Sequence, residues 1–165
     1  MNIIKTRLTE KQFINASLVL LFKKPIAWLF PIIGFFLILI NLVQPKGVSS
    51  FTMYIVPVVY LIIFGGMLPL VTYFKARTMY RVSSSRAREN IEYEFQNDQF
   101  LIRGESFNAN FSWDKVQKVT ETRKWLFIWL NSQAANPIPK EAIWEGELMK
   151  LKEILFANKV KNNLK

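Results

Sequence analysis

A chain of 165 residues has room for one small domain, and its lack of Cys and His excludes disulfides, thiol nucleophiles, the usual zinc sites and imidazole acid–base catalysis. The net charge of +10 is held unevenly: residues 1–88 carry 11 basic residues and a single acidic one, Glu10, whereas residues 89–165 carry 11 of each sign. A nucleic-acid binder keeps its basic excess on the folded domain as a patch that tracks phosphates, so this distribution speaks against nucleic acid as a partner.

Asn2 to Arg7 alternates loosely and reads as a short strand. Leu8-Thr9-Glu10-Lys11-Gln12-Phe13 then reads as a helix start, with Thr9 and Gln12 forming a capping box and Leu8 stapled onto Phe13. The helix that follows runs through Ile14, Leu18, Leu21 and Phe22 and is expected to lie on a membrane surface or lead into a span. Residues 1–24 thus form a cytoplasmic lead.

Two uncharged stretches come next, Pro25 to Pro45 and Gly47 to Phe74, separated by Lys46. Each meets the length of about 20 apolar residues that a hydrocarbon layer of roughly 30 Å requires. They predict a transmembrane hairpin over 25–74, with spans at 25–43 and 51–74. Lys23 and Lys24 stand before the first span as snorkelling cations, and Trp28 sits near its start as an interface anchor. A cleaved signal peptide competes with this reading, but the apolar run begins late and Val43-Gln44-Pro45-Lys46 lacks a small-residue cleavage pattern. Pro57, Pro69 and Gly65-Gly66 interrupt the second span. The glycines read first as packing against the first span near Gly34, and second as the seam of a homo-oligomer.

Basic residues set the orientation. Lys23 and Lys24 precede the hairpin, Lys75, Arg77, Arg81, Arg86 and Arg88 follow it, and Lys46 alone lies in the loop. The positive-inside rule then places both termini in the cytoplasm, in a multi-pass protein of the inner membrane. Lack of Cys fits that face. The same seven flanking cations are the expected contacts with anionic headgroups. Neither span holds a charged residue, which speaks against a transporter or pump. Residues 75–88 read as a basic juxtamembrane connector, with Ser83-Ser84-Ser85 inside it.

From residue 89 to 165 the pattern turns to period two. Ile91, Tyr93 and Phe95 alternate with Glu92 and Glu94. Phe100 to Arg103 follows after a turn at Gln96-Asn97-Asp98, and Phe107, Ala109 and Phe111 complete a meander. Trp113-Asp114-Lys115-Val116 reads as a corner, and Lys118–Thr122 and Trp125–Leu130 as two more strands. Trp125 to Leu130 is apolar on both faces, one expected to be covered by the sheet's own curvature and the other by a last helix bearing Leu148, Leu151, Ile154 and Leu155. Ala134–Pro139 reads as an edge strand, limited by Pro137 and Pro139. The residues after Phe156 read as a frayed, soluble tail.

Carboxylate pairs are the only catalytic option left to a chain without Cys or His, with Glu92, Glu94, Glu141, Glu145 and Glu147 as candidates, and each has a structural explanation: Glu92 and Glu94 lie on the polar face of a strand, and Glu145 and Glu147 open a helix. No glycine-rich phosphate loop, GxSxG or metal-ligand spacing occurs. No catalytic residue, cofactor or metal is expected.

Leu8, Thr9 and Phe13 at the front, Trp113-Asp114-Lys115-Val116 in the middle and Ile138-Pro139-Lys140 before the last helix resemble the bacterial YcxB-like family, across nearly the whole chain. The resemblance implies an inner-membrane protein whose cytosolic part is similar to a pleckstrin-homology-like half barrel closed by a C-terminal helix. The expected fold class is therefore α+β: a two-helix membrane hairpin followed by a small antiparallel β domain capped by a helix. Trp113 and Lys140 stand at family positions, as a core corner and an exposed turn. Trp144 occupies the place of a polar helix cap. The expected function is a membrane-tethered interaction module that binds a protein or lipid partner. An immunity protein acting against a toxin at the inner membrane and a carboxylate-dependent membrane enzyme are the alternatives.

Overall fold

The structure, a computed structural model, describes residues 2–43, 51–82 and 88–164. The chain is α+β, with helices first, then antiparallel sheets and a C-terminal helix. The expected loop from Gln44 to Ser50, Ser83-Ser84-Ser85 and Arg86 lie outside the described residues. The chain divides into two units, Met1–Ala16 with Tyr80–Lys165, and Ser17–Met79.

In the first unit, β1 (Asn2–Thr6) pairs with β2 (Ile91–Phe95), which continues into β3 (Gln99–Arg103) and β4 (Asn108–Ser112), all antiparallel in that order. The strand expected in the lead is thus the edge of the β domain's first sheet. The register sets Ile4, Tyr93, Ile102 and Ala109 in one cross-strand row and Phe95, Phe100 and Phe111 in the next. Such apolar cross-strand pairs contribute about 0.2–1 kcal/mol each. Burial pushes the Tyr93 phenol well above its ordinary range, so it stays neutral.

Trp113 opens the corner as one turn of 3-10 helix and is buried against the second aromatic row. Its ring lies 5.3 Å from that of Phe100 between centroids, and its indole N–H donates to the Gln96 carbonyl at 2.9 Å. A second sheet follows, in the order β5 (Lys118–Glu121), β6 (Trp125–Trp129) and β7 (Ala135–Pro139). Asn131 closes the β6–β7 turn, its side-chain oxygen accepting from the Gln133 and Ala134 amides at 2.8 Å each.

All five residues of β6 are buried, for two different reasons. Leu126 and Ile128 enter one core with the first sheet and with Leu151 and Leu155 of α5 (Glu145–Ala157). Trp125, Phe127 and Trp129 alternate with them and therefore lie on the opposite face, Trp125 stacked on Phe127 at 6.2 Å between centroids and Phe127 tilted against Trp129 at 6.4 Å. The first sheet and the helix thus share one face of β6, which corrects the expectation that they cover opposite faces.

The C-terminal stretch is also corrected. Val160 and Leu164 are buried, the Val119 amide donates to the Lys161 carbonyl at 2.9 Å, and the Asn163 side-chain oxygen accepts from the Glu121 amide at 2.7 Å. Two apolar residues four apart among lysines and asparagines tie the segment to β5 through backbone pairing. At the start of α5 the Trp144 side chain makes no cap, since an indole is only a donor. Glu147 supplies the cap instead, its carboxylate accepting from the Trp144 amide at 3.1 Å.

Helix α1 (Glu10–Lys23) begins as the sequence predicts: Gln12 accepts from the Thr9 amide at 2.9 Å, and the Thr9 hydroxyl accepts from the Gln12 amide at 3.3 Å. Thr9→Ala is expected to cost about 1 kcal/mol, read as a shift in the denaturation midpoint of the β unit. No change would show that the box does not hold the helix start.

The second unit is helical. It contains α2 (Ile26–Val43), α3 (Phe51–Leu61), a π-helical segment (Ile62–Gly66) and the start of α4 (Met67–Val82). Among the described residues no single helix is long and apolar enough to cross a membrane, but α1 and Ile26–Ile40, joined across a bend of 70°, meet the length and composition together. Gly34 sits where a Cβ would meet Leu61 at 2.4 Å, so α2 and α3 approach closely there. Gly65 and Gly66 have no such neighbour within 4 Å, so the expected packing of that pair against Gly34 is not what the structure holds. The helix also runs beyond the expected end at Phe74, continuing as α4 to Val82, and from Tyr80 it belongs to the first unit, where the Tyr80 hydroxyl donates to the Leu8 carbonyl at 3.0 Å.

Candidate functional site

The expected membrane-surface residues fall into two groups. Lys23 ends α1 and is exposed, Lys24 is half-buried, and Lys75 is exposed on α4 beside the half-buried Arg77. Arg81 and Arg88 instead have structural partners. Arg81 pairs with Glu10 at 3.1 Å. Arg88 donates to the Tyr80 and Arg81 carbonyls and lies 5.4 Å from the Tyr80 ring centroid, capping the last turn of α4. Trp28 is half exposed and turns its indole N–H to the Phe22 carbonyl at 2.9 Å.

The surface of the helical unit is apolar to an unusual degree. Ile32, Phe35, Phe36 and Ile40 of α2, with Val56 and Val58 of α3, are each between 49% and 59% exposed. Exposed apolar patches on that scale mark interaction surfaces.

Several of the carboxylates are engaged in structure, whereas no hydrogen bond or ion pair is seen for Glu145 among the described residues. Glu92 pairs with Lys5 across β1–β2 at 2.7 Å. Glu94, expected on a polar face, is buried, and Arg103 at 2.9 Å and the Gln96 side-chain amide at 2.8 Å satisfy it. Glu141 accepts from the Gln12 side-chain amide at 2.5 Å. Sequence reasoning missed Glu89, which is buried and accepts from the Ser106 amide at 2.9 Å and its hydroxyl at 2.6 Å. Nothing local distinguishes it from the glutamates that follow, since its partner lies 17 residues on, in the β3–β4 turn. Among the described residues no group of His, Cys, Asp or Glu is placed to hold a metal.

A cleft of about 480 Å³ opens in the first unit between the start of α1, the β5–β6 turn and the end of β7. Thr9, Gln12 and Asn15 face it from the helix, and Trp125 and Pro139 from the sheet. The Trp125 indole N–H donates to the Asn15 side-chain oxygen at 2.9 Å, which fixes that wall. Four cations line it: Lys11, Arg123, Lys124 and Lys140. Lys140, expected in an exposed turn, is half-buried and pairs with Glu121.

Residues 95–155 match the family model described as YcxB-like protein. The match includes Trp113-Asp114-Lys115-Val116 and Ile138-Pro139-Lys140, and leaves Leu8, Thr9 and Phe13 outside it. No curated protein and no solved structure matches the chain.

Proposed function

We propose, from the premise that residues 95–155 belong to the YcxB-like family, that this chain is a non-enzymatic inner-membrane protein presenting a cytosolic interaction domain at the inner leaflet. The observation that carries the reading is the belt of exposed aliphatic and aromatic side chains on α2 and α3, in a stretch whose one charge is Lys46. Water penalises such a surface at roughly 25 cal/mol per Å², and a lipid environment removes that cost. The π-helical segment at Ile62–Gly66 agrees with a span that bends within one helix run. Sheets of four and three strands sharing a core with a C-terminal helix agree with a pleckstrin-homology-like half barrel. Engaged carboxylates support a binding role over catalysis.

Topology reporters test the reading. Fusions after Arg88 and at the C-terminus are expected to behave as cytoplasmic and a fusion at Gly47 as external. The reverse pattern would overturn the orientation, and uniformly cytoplasmic signals would overturn the hairpin.

A further inference from the structure

We infer that the cleft between the start of α1 and the β5–β6 turn is a binding site for a phosphate monoester. Lys11 lines it from α1 and the consecutive Arg123 and Lys124 from the β5–β6 turn, and their charged groups have no ion pair or hydrogen bond among the described residues. The fourth cation, Lys140, pairs with Glu121, and the one carboxylate in the lining, Glu141, accepts from the Gln12 side-chain amide and keeps its negative charge. Three cations without an ion pair therefore line one concavity against a single carboxylate, Glu141, so the cleft keeps a net positive charge. Like charges brought together repel, and an anion carrying two negative charges relieves that repulsion. A phosphate monoester has this charge near neutral pH, and its three oxygens suit a guanidinium fork from Arg123 together with two ammonium point charges. A monocarboxylate answers only one of the three cations.

The remaining lining sets what the phosphate is attached to. Thr9 and the Asn15 amide supply neutral polar groups, whereas Trp125 and Pro139 present apolar surface. The volume of about 480 Å³ lies within the usual range of small-molecule sites. A glycerol- or sugar-sized group bearing the phosphate fits this mixture. A lipid headgroup and a soluble metabolite share that chemistry. The inference rests on the geometry of the β unit alone and stands apart from the membrane reading.

The test is calorimetric titration of the full-length, detergent-solubilised chain with glycerol 3-phosphate, with dihexanoyl phosphatidic acid and with uncharged glycerol. Both phosphates are expected to bind, glycerol is not, and raised salt is expected to weaken the phosphates. Equal affinity for the two phosphates identifies a soluble ligand; tighter binding of phosphatidic acid identifies a headgroup. Removing the three side chains together, as Lys11→Ala, Arg123→Ala and Lys124→Ala, is expected to lower affinity at least about tenfold, since each loses a charge-assisted contact. Lys150→Ala, Lys152→Ala and Lys159→Ala remove the same charge from outside the cleft and are expected to leave binding intact. Circular dichroism checks that both variants fold. Absence of phosphate binding, or equal losses in the two triple variants, would overturn the site.

Discussion

Replacing Trp113 with Ala is expected to destabilise the β unit by about 4 kcal/mol, a large share of the stability of a small domain. The side chain is 2% exposed, packs at 5.3 Å from Phe100 and 6.2 Å from Phe95 between ring centroids, and spends its indole N–H on Gln96. Truncation leaves a cavity at the corner that joins the two sheets and an unpartnered carbonyl beside it. Trp113→Phe keeps most of the ring volume and loses only the hydrogen bond, so about 1–2 kcal/mol is expected. Urea denaturation followed by far-ultraviolet circular dichroism reads both. Equal small effects would show that the corner is not a packing centre.

Ile32→Arg combined with Phe36→Arg is expected to abolish stable membrane association. Both positions are about half exposed on α2. In water, surface substitutions away from special features usually change stability by no more than about 0.5 kcal/mol. At the centre of a membrane helix each arginine costs about 2.5–3.5 kcal/mol on insertion scales, so the pair removes much of what drives integration. The fraction of protein recovered with membranes after fractionation measures the difference. An unchanged fraction would show that α2 does not face lipid.

The strands and the last helix were legible because their signals are local. Period-two alternation marked β2 to β4, Pro137 and Pro139 marked an edge, and four leucines and isoleucines on one face marked α5. The Thr9–Gln12 capping box was legible for the same reason. What escaped the sequence was long-range pairing. β1 meets β2 across more than eighty residues, and no local pattern specifies which strand an isolated alternating segment joins. The C-terminal stretch looked like a solvated tail because only Val160 and Leu164 are apolar, yet backbone pairing with β5 supplies what its composition lacks. Glu94 looked like a polar-face residue until Arg103, diagonal to it across β2–β3, covered it. The cleft was illegible for a related reason. Its cations come from α1, the β5–β6 turn and the turn that follows β7, and only the fold brings them to one concavity.

The basic residues after the second apolar stretch show how one composition serves two ends. Lys75 remains exposed and fits a headgroup contact, whereas Arg81 and Arg88 are held by Glu10 and by the last carbonyls of α4. Neutralising Arg88 is accordingly expected to loosen the end of α4 more than it alters orientation.

The most direct measurement is extraction of the full-length chain from bacterial membranes with alkaline carbonate and with detergent. The account predicts that the protein stays in the carbonate-washed pellet and enters solution only with detergent. Quantitative release by carbonate, or a chain that disperses in buffer without detergent, would contradict it.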